Sequence, residues 1–295
     1  MATRVIDDTK LQNIAVAIQG KDSGGTMTVD EMPTRIAAIP TGDEVLFSSK
    51  GRQYTRTVEI PDGVTTLGEY AFNGCTGLTE IDFKNVISIG QSAFGSCTGL
   101  TEIDFKNVIS IGQSAFGSCT SLTEIDLKNV TTFSSSNQFQ QCSSLRKAVG
   151  KKAVTVSSSC FYYCTSLKAA IFPVATTIQQ NAFLVAYALE SVDCRNVDRI
   201  VQGAFGHCKR LNLIDLTSRT TPTTLDNTSA FNDTNNTWIA IVANDTIKSD
   251  FQNATNWSTF ASHFRTIAEV EAEVGMTYDE YYYQLFGEPR NEVTP

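Results

Sequence analysis

The residues of this 295-residue chain that could carry chemistry are eight cysteines, two histidines and a regular set of charges. Six cysteines (Cys75, Cys97, Cys119, Cys142, Cys164 and Cys208) each follow a phenylalanine by three residues and precede a leucine by three. The spacing Cys160-x-x-x-Cys164 suggests a metal pair when taken alone, but its further ligands would have to reach across a packed interior. Neither His207 nor His263 shares metal-ligand spacing with a cysteine. The charges recur as Glu80, Glu102 and Glu124, as Asp82, Asp104 and Asp126, and as Lys84, Lys106 and Lys128. Paired carboxylates can hydrolyse glycans, yet a catalytic pair needs two differently tuned environments, and these recur uniformly. The phosphate-binding, zinc-protease and nucleophile-elbow motifs are all missing from the sequence. No catalytic, metal or cofactor site is expected. The nine charges read either as a copied solvated face or as a flat polar surface for a protein or glycan.

What positions them is a repeat. Residues 79–100 read TEIDFKNVISIGQSAFGSCTGL, and residues 101–122 repeat them with one change, Gly99 becoming Ser121. The same phenylalanine returns at Phe72, Phe94, Phe116, Phe139, Phe161, Phe183, Phe205 and Phe231, in steps of 22 residues with one of 23 and a last one of 26. Within each unit Ile81 and Phe83 alternate with Glu80, Asp82 and Lys84, the two-residue period of a half-buried strand. Ala93, Phe94, Cys97 and Leu100 stand at helical offsets and predict a short helical turn. One such unit cannot bury its apolar side, but stacked units share a continuous core. The chain is therefore expected to be an α+β repeat solenoid of about eight coils with inward ladders of Phe, Leu and Cys. All eight cysteines point inward as free thiols, because parallel Cβ vectors on neighbouring rungs disfavour disulfide geometry.

The pattern A-F-x-x-C-x-x-L-x-x-I-x-L preceded by V-x-x-I-G, carried by Ala93-Phe94, Cys97, Leu100, Ile103 and Val108-Ile111-Gly112, resembles the BspA-type leucine-rich repeat of bacterial surface and phage proteins. The resemblance spans about residues 58–235 and implies a leucine-rich-repeat-like stack. It departs in coil four, at Gln138 and Ala148, and in coil six, where Ala186 takes the cysteine place; those coils are expected to be looser.

Open solenoid ends need covers, so small helical caps are expected at both. Residues 1–42 form an N-terminal helical unit with Leu11, Ile14 and Ile18 on one face, and Met32, Ile36 and Ile39 on a second helix. This stretch resembles a short module of phage and prophage tail-associated proteins, which implies attachment to a particle. The lead-in strand and solenoid occupy 43–235, a C-terminal cap 236–267 with a last strand at Trp238–Val242, and an acidic tyrosine-rich segment 268–295. There Thr277 and Glu280 predict a capping box and Gly287 a stop. Tyr278, Tyr281, Tyr282 and Phe286 are too many aromatics for a solvated tail and must dock, on the chain's own solenoid or on a neighbouring subunit.

A net charge of −8, from 31 acidic and 23 basic side chains, argues against nucleic-acid binding. The longest apolar runs fall far short of a membrane span, and the first residues lack the apolar core of a secretory signal. The expected function is thus a non-enzymatic virion component, tail-associated or decorating the particle. Residues 1–42 would bind virion or surface proteins, the solenoid would take a host receptor or glycan, and homo-oligomerisation is compatible with this. The alternative is a bacterial cell-surface adhesin, which on this reading needs an export signal or wall anchor.

Overall fold

The structure is a computed structural model that describes residues 57–60 and 63–290. Apart from residues 102–104, which form no strand, each coil runs through a three- or four-residue strand such as Glu80–Asp82, a tight turn, a two-residue strand such as Ser88–Ile89, and a series of turns that carries Phe94 and Cys97 back to the next coil. All pairings are parallel and in register. Seven strands from Glu124–Asp126 to Phe264–Thr266 form one sheet, and Thr57–Glu59 pairs with Glu80–Asp82 ahead of it. The two-residue strands line another side of the coil in two four-stranded ladders. Close stacking there demands glycine: a Cβ on Gly90 would stand 2.7 Å from the backbone of Gly68, and one on Gly112 2.6 Å from that of Gly90.

The expected helical turn around Phe94 does not form. Backbone amides alternate instead between partners inside the coil and in the next one. Gly95 N donates to Ser92 O at 3.0 Å and Cys97 N to Phe94 O at 3.1 Å, whereas Phe94 N donates to Ala115 O and Ser96 N to Gly117 O, both at 2.7 Å. A helix would turn every amide onto its own coil and leave this side of the stack without backbone bonds between coils. Ser92 and Ser96 accordingly hold left-handed backbone, with φ of 49° and 60°.

The interior is a single column of rings. Successive phenylalanines from Phe72 to Phe231 stack nearly parallel, with centroids between 5.0 Å (Phe72 to Phe94) and 5.8 Å (Phe139 to Phe161). That widest step has the regular 22 residues and directly follows the 23-residue step from Phe116 to Phe139, whose rings stand 5.3 Å apart. The short-strand ladder also breaks there, between Thr132–Phe133 and Thr155–Val156. Gln138, fully buried in the alanine place, accepts a hydrogen bond from Ser157 Oγ, and its Nε2 has no hydrogen-bond partner.

All eight cysteines are buried and unpaired. Five thiols donate to the carbonyl of the phenylalanine one coil earlier, as Cys97 does to Phe72 at 3.1 Å and Cys119 to Phe94 at 3.2 Å. Cysteine is thus a small apolar filler that also satisfies a buried carbonyl. Burial pushes the Cys142 thiol up to about 12.

The stack does not end at Ile239–Val242, as the sequence suggests. The helix Asp245–Asn253 and the 3-10 segment Trp257–His263 fold over the last coil, and the chain then returns as a further parallel strand, Phe264–Thr266. Trp238 closes the ring column 4.5 Å from Phe231, and Trp257 Nε1 donates to Thr223 O at 2.6 Å. No helix among the described residues is long and apolar enough to cross a membrane.

Replacing Phe116 by Ala in mid-column should cost about 3–5 kcal/mol, read as a lowered urea midpoint. A thiol reagent at pH 8 should label none of the eight cysteines in the native chain and all of them in denaturant.

Candidate functional site

The strand face divides into two halves along the same columns. In the first coils Glu80, Glu102 and Glu124 and Asp82, Asp104 and Asp126 are all exposed, with Lys106 and Lys128 exposed beside them and Lys84 half-buried. The aspartates hold the turn that follows: their Oδ1 atoms accept from the amides of Lys84 (2.9 Å), Lys106 (3.1 Å) and Lys128 (3.1 Å). Lys128 also reaches back one coil to Asp104 at 2.7 Å, and this hydrogen bond raises its pKa. The glutamates have no such turn to hold. They are the part of the face that is free to meet a partner.

From coil four onward the columns change character. The register carries Glu124 onto Lys147, Ala169, Ser191, Leu213 and Ile239, and Asp126 onto Val149, Ile171, Asp193, Asp215 and Ile241. Two helices of the same chain, Ile267–Val274 and Tyr278–Phe286, cover this half. Each opens with a capping box, Thr266 with Glu269 and Thr277 with Glu280, and each closes on a left-handed glycine, Gly275 and Gly287. Val270, Tyr278, Tyr282 and Phe286 are buried against Val149, Ile171, Leu213 and Ile241, and Tyr281 is half-buried at the edge of this packing.

Beneath the helices lies a buried charged cluster. Asp193 is fully buried; it accepts from Arg195 Nη2 at 2.6 Å and from Tyr282 Oη at 2.7 Å, while the Arg195 guanidinium lies 5.2 Å from the Tyr282 ring. Asp215, one coil on, accepts from the amide of Thr217 at 2.8 Å, with Arg290 Nε 3.8 Å from its other oxygen. Arg290 also donates to Thr217 Oγ1 at 2.6 Å and sits over the Tyr278 ring. Burial, and then the neighbouring Asp193, hold the Asp215 carboxyl above its usual range. Removing either arginine would strand a buried charge, so the cluster fixes where the helices sit.

Where the covered half meets the open one, Glu288 bonds Lys147 at 3.0 Å and Lys151 at 3.1 Å. A groove of about 590 Å³ opens there, lined among others by Glu102, Asp104, Glu124, Asp126, Lys147 and Glu288. The sequence reading missed Lys147, Glu288 and the Asp193–Arg195–Tyr282 cluster. The available signal was the change of one repeat column from acidic to apolar, four coils before a tyrosine-rich segment. The attachment residues Leu11, Ile14, Ile18, Met32, Ile36 and Ile39 lie outside the described residues. Among the described residues no group of three His, Cys, Asp or Glu could hold a metal ion. His207 is partly exposed and 2.7 Å from Asp233.

This architecture defines a class: a solenoid of parallel in-register coils with a leucine, a phenylalanine and a cysteine ladder. The model of the BspA type leucine rich repeat region matches six copies over residues 47–168 and 135–259, and the chain belongs to that family. Among solved structures it is similar to a leucine rich repeat protein of T. pallidum, at 26% identity and a TM-score of 0.48 over 54% of this chain and 80% of that one. It is also similar to a leucine-rich repeat protein from Bacteroides ovatus, at 18% identity and a TM-score of 0.47 over 72% of this chain and 66% of that one. No curated protein matches. Neither the family match nor these structures bears on the phage tail resemblance of residues 1–42.

The C-terminal pair carries a pH dependence. Lys248 and the Thr266 amide lower Glu269, Thr277 lowers Glu280, and for Glu288 the two lysines outweigh burial, which acts in the raising direction. A carboxylate with a depressed folded pKa contributes stability that is present above its unfolded value, about 4.5, and is lost as pH falls through the folded value. Asp215, raised, acts in the opposite direction and offsets part of this. Protection factors of residues 267–287, each taken relative to unstructured-chain exchange at the same pH, should therefore be high at pH 7 and fall below pH 4, ahead of those of the solenoid core.

Proposed function

We propose that this chain is a non-enzymatic adhesive scaffold of a bacterial cell surface, whose open strand face in coils one to three contacts a protein or glycan of a host or neighbouring cell. One observation carries the reading. The chain covers this face with its own helices where the two outer columns turn mainly apolar around the buried Asp193 and Asp215, and leaves it open where both columns are uniformly acidic. A solenoid is a surface generator whose ligand is chosen by exposed residues, and here the exposed residues repeat with the period of the backbone. The family match supports a repeat surface of this kind. A repeated array suits a partner that is itself extended, because equal charges at coil spacing can be met several times along one surface. The virion reading would mount the same scaffold through residues 1–42, outside the described residues, and no geometry in the solenoid favours it.

The triple change Glu80→Gln, Glu102→Gln and Glu124→Gln spares the aspartates that hold turns. It should leave the denaturation midpoint unchanged, within about 0.5 kcal/mol. Beads coated with the full chain should adhere to mammalian cells or matrix-protein films, and those carrying the triple variant should lose most of that adherence. Equal adherence by both would remove the strand face from the function.

A further inference from the structure

A second surface stands out on the turn side of the stack. At one left-handed position the coils carry Gly74, Ser96, Ser118, Gln141, His207 and Asp233, and φ is positive at every one. Coils five and six hold the same left-handed backbone, at φ of 58° and 66°, but carry Tyr163 and Val185 there. Left-handed backbone suits glycine and short polar residues and is unfavourable for a bulky or β-branched side chain. The residue just before changes in the same two coils: Asn73, Gly95, Gly117, Gln140 and Gly206 elsewhere, but Tyr162 and Leu184 here. The substitutions are adjacent in space, since Tyr163 N donates to Leu184 O at 3.0 Å and Val185 N to Gly206 O at 2.9 Å. Gly206 leaves room for the Leu184 side chain, whose Cδ1 would stand 2.7 Å from a Cβ there. Tyr162 and Tyr163 meet edge to face at 4.7 Å, and Tyr187 stands two residues past Val185 on the adjacent coil. Tyr163 and Tyr187 are 40% and 44% exposed, on a ridge that is otherwise polar.

We infer that Tyr162, Tyr163, Leu184 and Tyr187 form a binding platform for a neutral pyranose oligosaccharide. Size argues for a small ligand. The patch is two coils wide, with the rings beneath it 5.4 Å apart, whereas a stable protein interface needs roughly 800 Å² and 20–30 residues a side. Charge argues for a neutral one. Ionic groups on the neighbouring coils are already paired: His207 and Lys209, one coil on from Val185 and Tyr187, with Asp233 at 2.7 Å and 3.0 Å, and Glu190 with Arg210 at 3.0 Å. Stacked nucleobases would need a basic groove beside the rings, and Lys209 and Arg210 one coil on are instead paired with Asp233 and Glu190. Tyrosine offers the apolar face that the C–H side of a sugar ring requires, and a hydroxyl at its rim for the sugar's own hydroxyls. This platform is separate from the strand face and does not rest on the function proposed for it.

The test uses the full chain and three probes, chitotriose, cellotriose and maltotriose, with saturation-transfer NMR and titration. At least one should bind. Affinity should fall about tenfold or more in Tyr163→Asn and in Tyr187→Ala, each with a thermal midpoint at or above that of the parent in the first case and near it in the second. Tyr283→Ala, at an exposed tyrosine of the C-terminal helix, and the triple glutamine variant should bind as the parent does. Loss of binding in the triple glutamine variant would overturn the assignment, because it would place the saccharide on the strand face. So would no transfer to any probe, or unchanged affinity in both tyrosine variants. A parent that dimerises in light scattering and becomes monomeric in Tyr163→Asn would likewise overturn it in favour of a second copy of the chain.

Discussion

The stacked phenylalanine column is the interaction on which every other feature of this molecule depends. A coil of 22 residues is too short to enclose a core of its own, and each ring stacks on its equivalents above and below, at 5.0–5.8 Å. The same constraint sets the backbone. Strand pairs, glycine contacts at Gly90 and Gly112, and amides that alternate between coils all follow from holding successive turns at ring-stacking distance. The cysteine ladder serves that geometry as well, because a thiol is small enough for the rung and can donate to the carbonyl below it.

Repetition at the core leaves freedom at the surface, and the chain uses it differently on each side. On the strand side the outer columns pass from uniform glutamate and aspartate to a mainly apolar set with Val149, Ala169, Ile171, Leu213 and Ile241, and the chain's own C-terminal helices take up that part. The covered half includes two buried aspartates, each with an arginine from the solenoid or from the tail. Such groups are costly to bury, so they bind the helices to one position more than they add stability. On the turn side the same positional comparison singles out coils five and six, where aromatic and branched residues occupy places that other coils give to glycine, serine and glutamine.

Ordinary globular folds hide such comparisons, because no two positions share an environment. Here the register makes them direct: a residue is judged against its equivalents one coil away, which share its backbone and its neighbours. A departure that the core does not require, such as Tyr163, points to the surface, whereas one that the core absorbs, such as Gln138 with Ser157, points to packing.

Periodicity alone determined the solenoid, its inward ladders and the unpaired state of the cysteines, because a residue repeated every coil can only face a neighbour like itself. The capping pair Thr277 and Glu280 and the stop at Gly287 were equally legible, being local hydrogen-bond chemistry within one turn of helix. Local offsets misled at Phe94, where helical spacing was overruled by backbone bonds to the next coil, and at Val242, where a further strand returns from beyond the cap. Which surface the tyrosine-rich helix covers was left open by its own composition. That depended on Asp193, Arg195 and the apolar columns of coils four to eight, from 37 (Ile241 to Tyr278) to 141 (Lys147 to Glu288) residues away in the chain. Only the folded stack brings those positions onto one face, and contacts across such separations leave no periodic trace in the sequence.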